Sequence, residues 1–249
     1  MSEFLSTSDE GHAERAVETL RRGELVVVPT DTVYALIGDA FSTEATQRML
    51  GAKRRGREFP LSLMIRNPRQ VIGLAGDIPE AAERLMASYW PGPVALVLAE
   101  QPEMPWDLGA SRGTVTLRMP ADDLVLAIAA EVGPLACTAA NRRGELVPTT
   151  VEEADLQMGE AVSLYIDGGP CAPALTTIVD CTRSEIHVLR EGMVSTGDVL
   201  RVASGDVGWG QQPGARPPEE LDDSELVQTD DAGAAMAVDP RAPSSQEDH

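Results

Sequence analysis

Two rhythms of apolar residues alternate along the chain. Short runs rich in Val, Ile and Leu give way to longer stretches whose apolar residues fall three or four apart. The run Leu25-Val26-Val27-Val28, directly after Gly23, reads as a buried strand. Pro29 ends it, having no N–H to donate to a ladder, and Thr30, Asp31 and Thr32 follow. Before this run, Ala13, Ala16, Val17 and Leu20 mark one face of a helix over 9–22, with Ser8 as its cap and Gly23 as its stop. After it, Ser42 caps a helix running to Leu50. The pattern then predicts a strand at 60–65, a helix at 79–90, and strands at 94–98 and 113–119. A helix at 122–132 closed by Gly133 and a strand at 134–138 come next. Thr150 with Glu153 forms a capping-box pattern at the head of another helix. Strands at 162–166, 176–181 and 186–190 and a helix at 195–202 complete the series. Such alternation defines an α/β class with a mixed sheet.

From residue 204 onward this rhythm stops. The segment is rich in Pro, Gly and acid, with eleven acidic residues against Arg216 and Arg241. It lacks the apolar surface needed to offset the entropy of ordering. The expected division is a folded domain at 1–203 and a disordered acidic tail at 204–249. The whole chain, 249 residues, has a net charge of −20, which argues against a general nucleic-acid or membrane binder. No apolar run approaches a membrane span, and the polar, acidic first ten residues are unlike a signal peptide, so a cytoplasmic location is expected.

The chemistry is bounded by what is scarce. His12, His187 and His249 are scattered, and Cys137, Cys171 and Cys181 have no metal-type spacing. A histidine triad, a zinc site or any other metal site built by the protein is therefore not expected. Lys53, Arg54, Arg55 and Arg57 crowd into five residues of an otherwise acidic chain. Such a cluster is either a solvated turn or a pocket for a polyanion. As part of a polar segment, it is expected to lie outside the core. Thr114, Arg118, Asn141, Thr176, Thr177 and Arg190 sit at or near other strand ends. Arg118 and Arg190 lie among apolar strand residues and need a carboxylate, from the protein or from a ligand. There is no GxxxxGK[ST] or GxGxxG phosphate loop.

Seven segments in order resemble the YrdC-like family of threonylcarbamoyl-AMP synthases. They are PTDTVYAL (29–36), AKRRGREFPLSLMI (52–65), YWPGPVALVL (89–98), TVTLRMP (114–120), AAN (139–141), GELVPTT (144–150) and TTIVD (176–180). The resemblance implies an open, twisted sheet with flanking helices and a concave basic cavity. It implies a nucleotidyltransferase making threonylcarbamoyl-AMP and pyrophosphate from L-threonine, bicarbonate or CO2, and ATP with Mg²⁺. The product would pass to a transferase complex that modifies tRNA. Carried over by position, Lys53 and Arg55 are the catalytic pair that holds the triphosphate, with Arg57 beside them. Thr30, Arg118 and Thr176 would hold threonine. Thr114, Ala139, Asn141 and Arg190 fall on the nucleotide side. Ala139 is a departure, since the family usually has serine there. Two other readings stay open: a weakly active member that binds nucleotide or, weakly, RNA in the same cavity, and a related carbamoyl-transfer enzyme.

Overall fold

The computed structural model describes residues 2–54 and 56–206. The acidic tail and Arg55 lie outside the described residues, apart from the tail's first three positions. Among the described residues, eleven strands form one mixed sheet, ordered β1-β9-β2-β3-β8-β4-β7-β6-β10-β11, with β5 paired to β6. The strands are β1 (Glu3–Ser6), β2 (Val26–Val28), β3 (Ala35–Asp39), β4 (Ser62–Met64), β5 (Ala75–Asp77) and β6 (Val94–Glu100). They continue with β7 (Thr114–Arg118), β8 (Leu135–Ala139), β9 (Leu164–Asp167), β10 (Thr177–Asp180) and β11 (His187–Arg190). The helices are α1 (His12–Arg21), α2 (Thr43–Ala52), the single turn α3 (Val71–Leu74), α4 (Glu80–Tyr89), α5 (Asp123–Val132), α6 (Val151–Met158) and α7 (Thr196–Ser204). No helix among the described residues is long and apolar enough to cross a membrane.

Local caps set most helix starts. Ser42 accepts from the Ala45 amide, Asp122 from Val125 and Ser195 from Asp198, each satisfying an amide that the first turn leaves unpaired. The Thr150–Glu153 capping box forms as its spacing predicts. The first helix differs from expectation. It starts at His12, and Gly11 takes the N-cap position in the left-handed region, while Ser8 bonds back to Ser6. Residues 3–6 are drawn instead into β1, parallel to β9. The run at 35–39, unassigned in the sequence, becomes β3, antiparallel to both β2 and β8.

Because strand side chains alternate, the sheet has two distinct faces. One face carries Leu36, Leu63, Leu96, Leu117 and Val179 and is covered by α2, α4, α6 and α7. The opposite face is covered only in part. There α1 and α5 pack over Val26, Val28, Ile37, Leu135 and Leu164. The rest of that face, over β4, β7, β6 and β10, has no helix on it among the described residues. The sheet floor there carries Ser62, Ala95, Thr116, Arg118 and Ile178. A sheet covered by helices over only half of one face leaves a concave floor, and this floor is where the site lies.

The C-terminal helix runs to Ser204, and Gly205 closes it in the left-handed region. Its carbonyl at Ala203 takes two hydrogen bonds from Arg84 of α4, at 2.9 and 2.6 Å. The folded part therefore extends just past the expected boundary at 203. A chain ended after Asp206 is expected to melt at the temperature of the full chain. A chain ended after Val202 removes the Arg84 acceptor, a loss worth about 1–3 kcal/mol, and should melt lower by roughly 2–10 °C. Thermal melts of the two truncations, followed by circular dichroism, check this.

Candidate active site

The uncovered half of the sheet floors a cleft of about 890 Å³, counting space open to solvent. Its wall begins at the turn between β2 and β3. Thr30 Oγ1 donates to the Val33 carbonyl at 2.6 Å and accepts from the Thr32 amide at 3.1 Å, so the hydroxyl replaces strand pairing after Pro29. Tyr34, fully buried, anchors this turn from behind. Its phenol donates to the Gly169 carbonyl at 2.8 Å and accepts from the Gly168 amide at 3.1 Å. Burial pushes that phenol up to about 12.

Arg118, at the end of β7, is the centre of the cleft. Its side chain is 6% exposed. Nε donates to the Gly92 carbonyl at 3.0 Å, and Nη1 to the hydroxyls of Thr32 at 3.2 Å and Thr176 at 2.7 Å. Nη2 donates to Asp31 Oδ1 at 2.6 Å. A buried guanidinium needs this degree of satisfaction. Thr176 is also held from its other side, since Arg190 donates to its carbonyl through Nε at 3.0 Å and Nη2 at 2.8 Å. The strand that follows is clamped in turn. Thr177 Oγ1 donates to the Val194 carbonyl and accepts from the amides of Gly192 and Val194. A Cβ at Gly192 would overlap the Leu175 carbonyl oxygen, so only glycine permits this approach.

The sequence profile of the Sua5_yciO_yrdC family, described as telomere recombination, matches residues 18–192. The chain belongs to the Sua5/YciO/YrdC family. A Mycobacterium tuberculosis protein provisionally named threonylcarbamoyl-AMP synthase is 41% identical over 192 residues, covering 77% of this chain and 88% of its own. The threonylcarbamoyl-AMP synthase of Bacillus subtilis is 34% identical over 205 residues, covering 81% of this chain and 59% of its own. The crystal structure of P. abyssi Sua5 complexed with L-threonine superposes with a TM-score of 0.76 at 31% identity, over 81% of this chain and 60% of that one. The chain thus spans about three fifths of the length of these last two proteins.

Within this Sua5/YciO/YrdC fold, the residues singled out from sequence fall into two groups. Thr30, Arg118, Thr176, Ala139 and Arg190 line the cleft. Lys53, Arg57, Thr114 and Asn141 do not. Arg55 lies outside the described residues. Thr114 faces the same side of β7 as Arg118 but sits four residues earlier, roughly 13 Å along the strand. There its hydroxyl bonds the Ser111 carbonyl at 2.8 Å. Thr116, two residues on, is the β7 hydroxyl that reaches the cleft. Alternation along TVTLR would have found it. Ser62 and Thr32 also line the cleft, and both lie inside matched segments without having been singled out. Arg57 forms an exposed two-bond pair with Asp107, at 2.9 and 2.5 Å. Those bonds hold the Asp107 carboxyl below the usual carboxylate range.

Lys53 departs most from expectation. It lies in a polar segment, yet it is fully buried. Its Nζ donates to the Ala139 carbonyl at 2.8 Å and to Asn141 Oδ1 at 2.6 Å, while Asn141 Nδ2 donates to the Glu145 carbonyl at 2.8 Å. The lysine therefore fastens the turn after β8 to the end of α2. Asn141 is itself fully buried. Lys53→Ala strands the buried Asn141 amide oxygen and the partly buried Ala139 carbonyl and is expected to lower stability by about 1–3 kcal/mol, whatever it does to activity. Urea denaturation with matched m-values measures this, and an unchanged midpoint would assign the lysine no structural role.

Proposed function

We propose that the protein is an L-threonylcarbamoyladenylate synthase, a nucleotidyltransferase that converts L-threonine, bicarbonate and MgATP into threonylcarbamoyl-AMP, pyrophosphate and water. The observation that carries this reading is Arg118 with the Thr32 and Thr176 hydroxyls, placed on an open sheet floor. The cluster sits in a chain 31% identical to a Sua5 complexed with L-threonine. Arg118 supplies charge for a carboxylate. Arg118 donates to Thr176 Oγ1, which leaves that hydroxyl's own proton to be donated onward.

In this reading the free amine of threonine captures CO2 released from bicarbonate, giving a carbamate. A carbamate oxygen attacks the α-phosphorus of ATP. A new P–O bond forms as the α–β bridging bond breaks and pyrophosphate leaves. The protein's part is to position the reactants and to neutralise charge spread over the phosphate oxygens. Lys53, Arg55 and Arg57 are the cations assigned to the triphosphate, and Mg²⁺ arrives with the nucleotide. Lys53 and Asn141 also set the turn that carries Ala139, so their effect on nucleotide binding includes shaping that wall. Thr114 supports the Ser111 turn, and Arg190 fixes the Thr176 carbonyl. The apolar floor at Ala35, Met64, Ala95 and Ile178 limits water around the carbamate. The product is an activated acyl group, suited to transfer onto a tRNA adenosine by a partner enzyme complex in the cytoplasm.

Pyrophosphate release is expected to require L-threonine, bicarbonate and MgATP together. Release that persists without threonine would describe a generic ATPase and overturn the reading. Ala139 lines the cleft where the family usually offers a hydroxyl, a feature that favours weak catalysis. Restoring one hydrogen bond to a charged group is worth about 1.5–3 kcal/mol. Ala139→Ser is therefore expected to raise kcat/KM for ATP by roughly ten- to a hundredfold, measured at saturating threonine and bicarbonate.

A further inference from the structure

The reaction proposed above uses Arg118 and leaves its closest partner, Asp31, without a part. Asp31 lies in the chain between the cleft residues Thr30 and Thr32; it is not itself among the residues that line the cleft, but its side chain, 14% exposed, meets the cleft's Arg118 at 2.6 Å. A guanidinium has five N–H groups. In Arg118, one serves Gly92, two serve Thr32 and Thr176, and one serves Asp31. Among the described residues, the fifth has no partner. It is on Nη2, the same nitrogen that holds Asp31. A carboxylate that takes this N–H must therefore lie beside the Asp31 carboxylate. Two acceptors on one nitrogen, each about 2.8 Å away and diverging by about 120°, sit roughly 5 Å apart.

That arrangement is unfavourable for a plain anion. Two carboxylates would share one guanidinium in a place largely withdrawn from water, leaving an uncompensated negative charge. A further carboxylate lies nearby. Asp122, the N-cap of α5, interacts electrostatically with Asp31, and burial together with that neighbour holds its carboxyl above the usual range. The half-buried Cys171 thiol, which donates to the Thr30 carbonyl, stays neutral because burial raises it. The groups around the Asp31 carboxylate are thus Arg118, Asp122 and a neutral thiol, while the cleft's other cation, Arg190, is engaged at the Thr176 carbonyl. Immediately around that carboxylate, acid outweighs base. An α-amino acid brings its own cation, because its ammonium nitrogen is two bonds from the carboxylate carbon, within reach of a second carboxylate roughly 5 Å away.

We propose that Asp31 is a specificity-determining residue that reads the α-ammonium group. The Arg118–Asp31 pair is then a receptor for an amino-acid zwitterion and not for a carboxylate anion. This rests on the reading that the substrate carboxylate binds Arg118. It goes beyond that reading by saying how hydroxy acids and other small carboxylates are kept out of the site.

The test is calorimetric titration of the full chain with L-threonine and with (R)-3-hydroxybutanoate, which is threonine without its amine. Wild type is expected to favour threonine. Asp31→Asn keeps an acceptor for Arg118 but removes the charge, and should reduce that preference by about tenfold or more, the worth of one hydrogen bond to a charged group. Hydroxybutanoate should bind the variant as well as, or better than, it binds wild type. An unchanged preference, or equal weakening of both ligands, would make Asp31 only a strut for Arg118 and overturn the proposal. A partly unfolded variant lowers the number of sites but not the ratio of constants. If the variant cannot be obtained folded, wild type alone decides, since equal affinity for the two ligands overturns the proposal. Failure of the synthase reading looks different. Wild type that ignores threonine but prefers L-serine or L-valine to their hydroxy-acid counterparts would unseat threonine and keep the role of Asp31. Wild type that binds neither amino acids nor hydroxy acids would overturn both.

Discussion

Burying the guanidinium of Arg118 is the constraint on which the rest of this molecule depends. A cation so little exposed is tolerable only when its donors are met, and no single segment can meet them. Asp31 and Thr32 come from the turn after β2, Gly92 from the turn before β6, and Thr176 from the approach to β10. The hydrogen bonds fix these three segments around the end of β7. They also explain why the cleft wall carries small hydroxyl residues where apolar ones would pack as well. Each hydroxyl accepts from the guanidinium and can pass a donor onward.

The second constraint is coverage. Among the described residues, four helices and the single turn α3 serve one face of the sheet, and two helices serve the other. The chain fills the covered half with Val, Leu and Ile, and intersperses Ser62, Thr116 and Arg118 with Ala95 and Ile178 over the open half. Location and composition agree. A polar floor under a helix would be left unsatisfied, and an apolar floor facing water would invite association.

Features settled within a few residues were legible in the sequence. The caps at Ser42 and at Thr150 with Glu153 depend on local amides, and each forms where its spacing places it. The order of strands and helices was legible for the same reason, apart from β1, β3, β5 and α3. β1 is short and polar at both ends, and only its pairing with β9 makes it a strand. Lys53 shows the limit most plainly. Its neighbours are charged, so it reads as exposed, yet its burial is decided by the turn at Ala139 and Asn141, which is distant in sequence. Thr114 and Thr116 share a face of β7, and which one meets the cleft is decided by the Ser111 turn that roofs the first. The cleft itself was legible chiefly through the ordered segments, because the coverage of a sheet face is a property of the assembled layers.

The sheet order has a consequence for how the chain acquires its shape. β2 is flanked by β9 and β3, and β6 by β10 and β7, so both central regions wait for strands made much later. Arg118 reaches across 87 residues to Asp31 and 58 to Thr176. Pairings this distant close large loops before they contribute stability, which makes folding slow and holds it back until most of the chain is available. A nascent chain that has emerged only through β8 holds the contiguous strands β2-β3-β8-β4-β7-β6 but lacks β9 to cover the edge of β2. During synthesis this exposed edge is the part of the molecule most in need of protection from other chains.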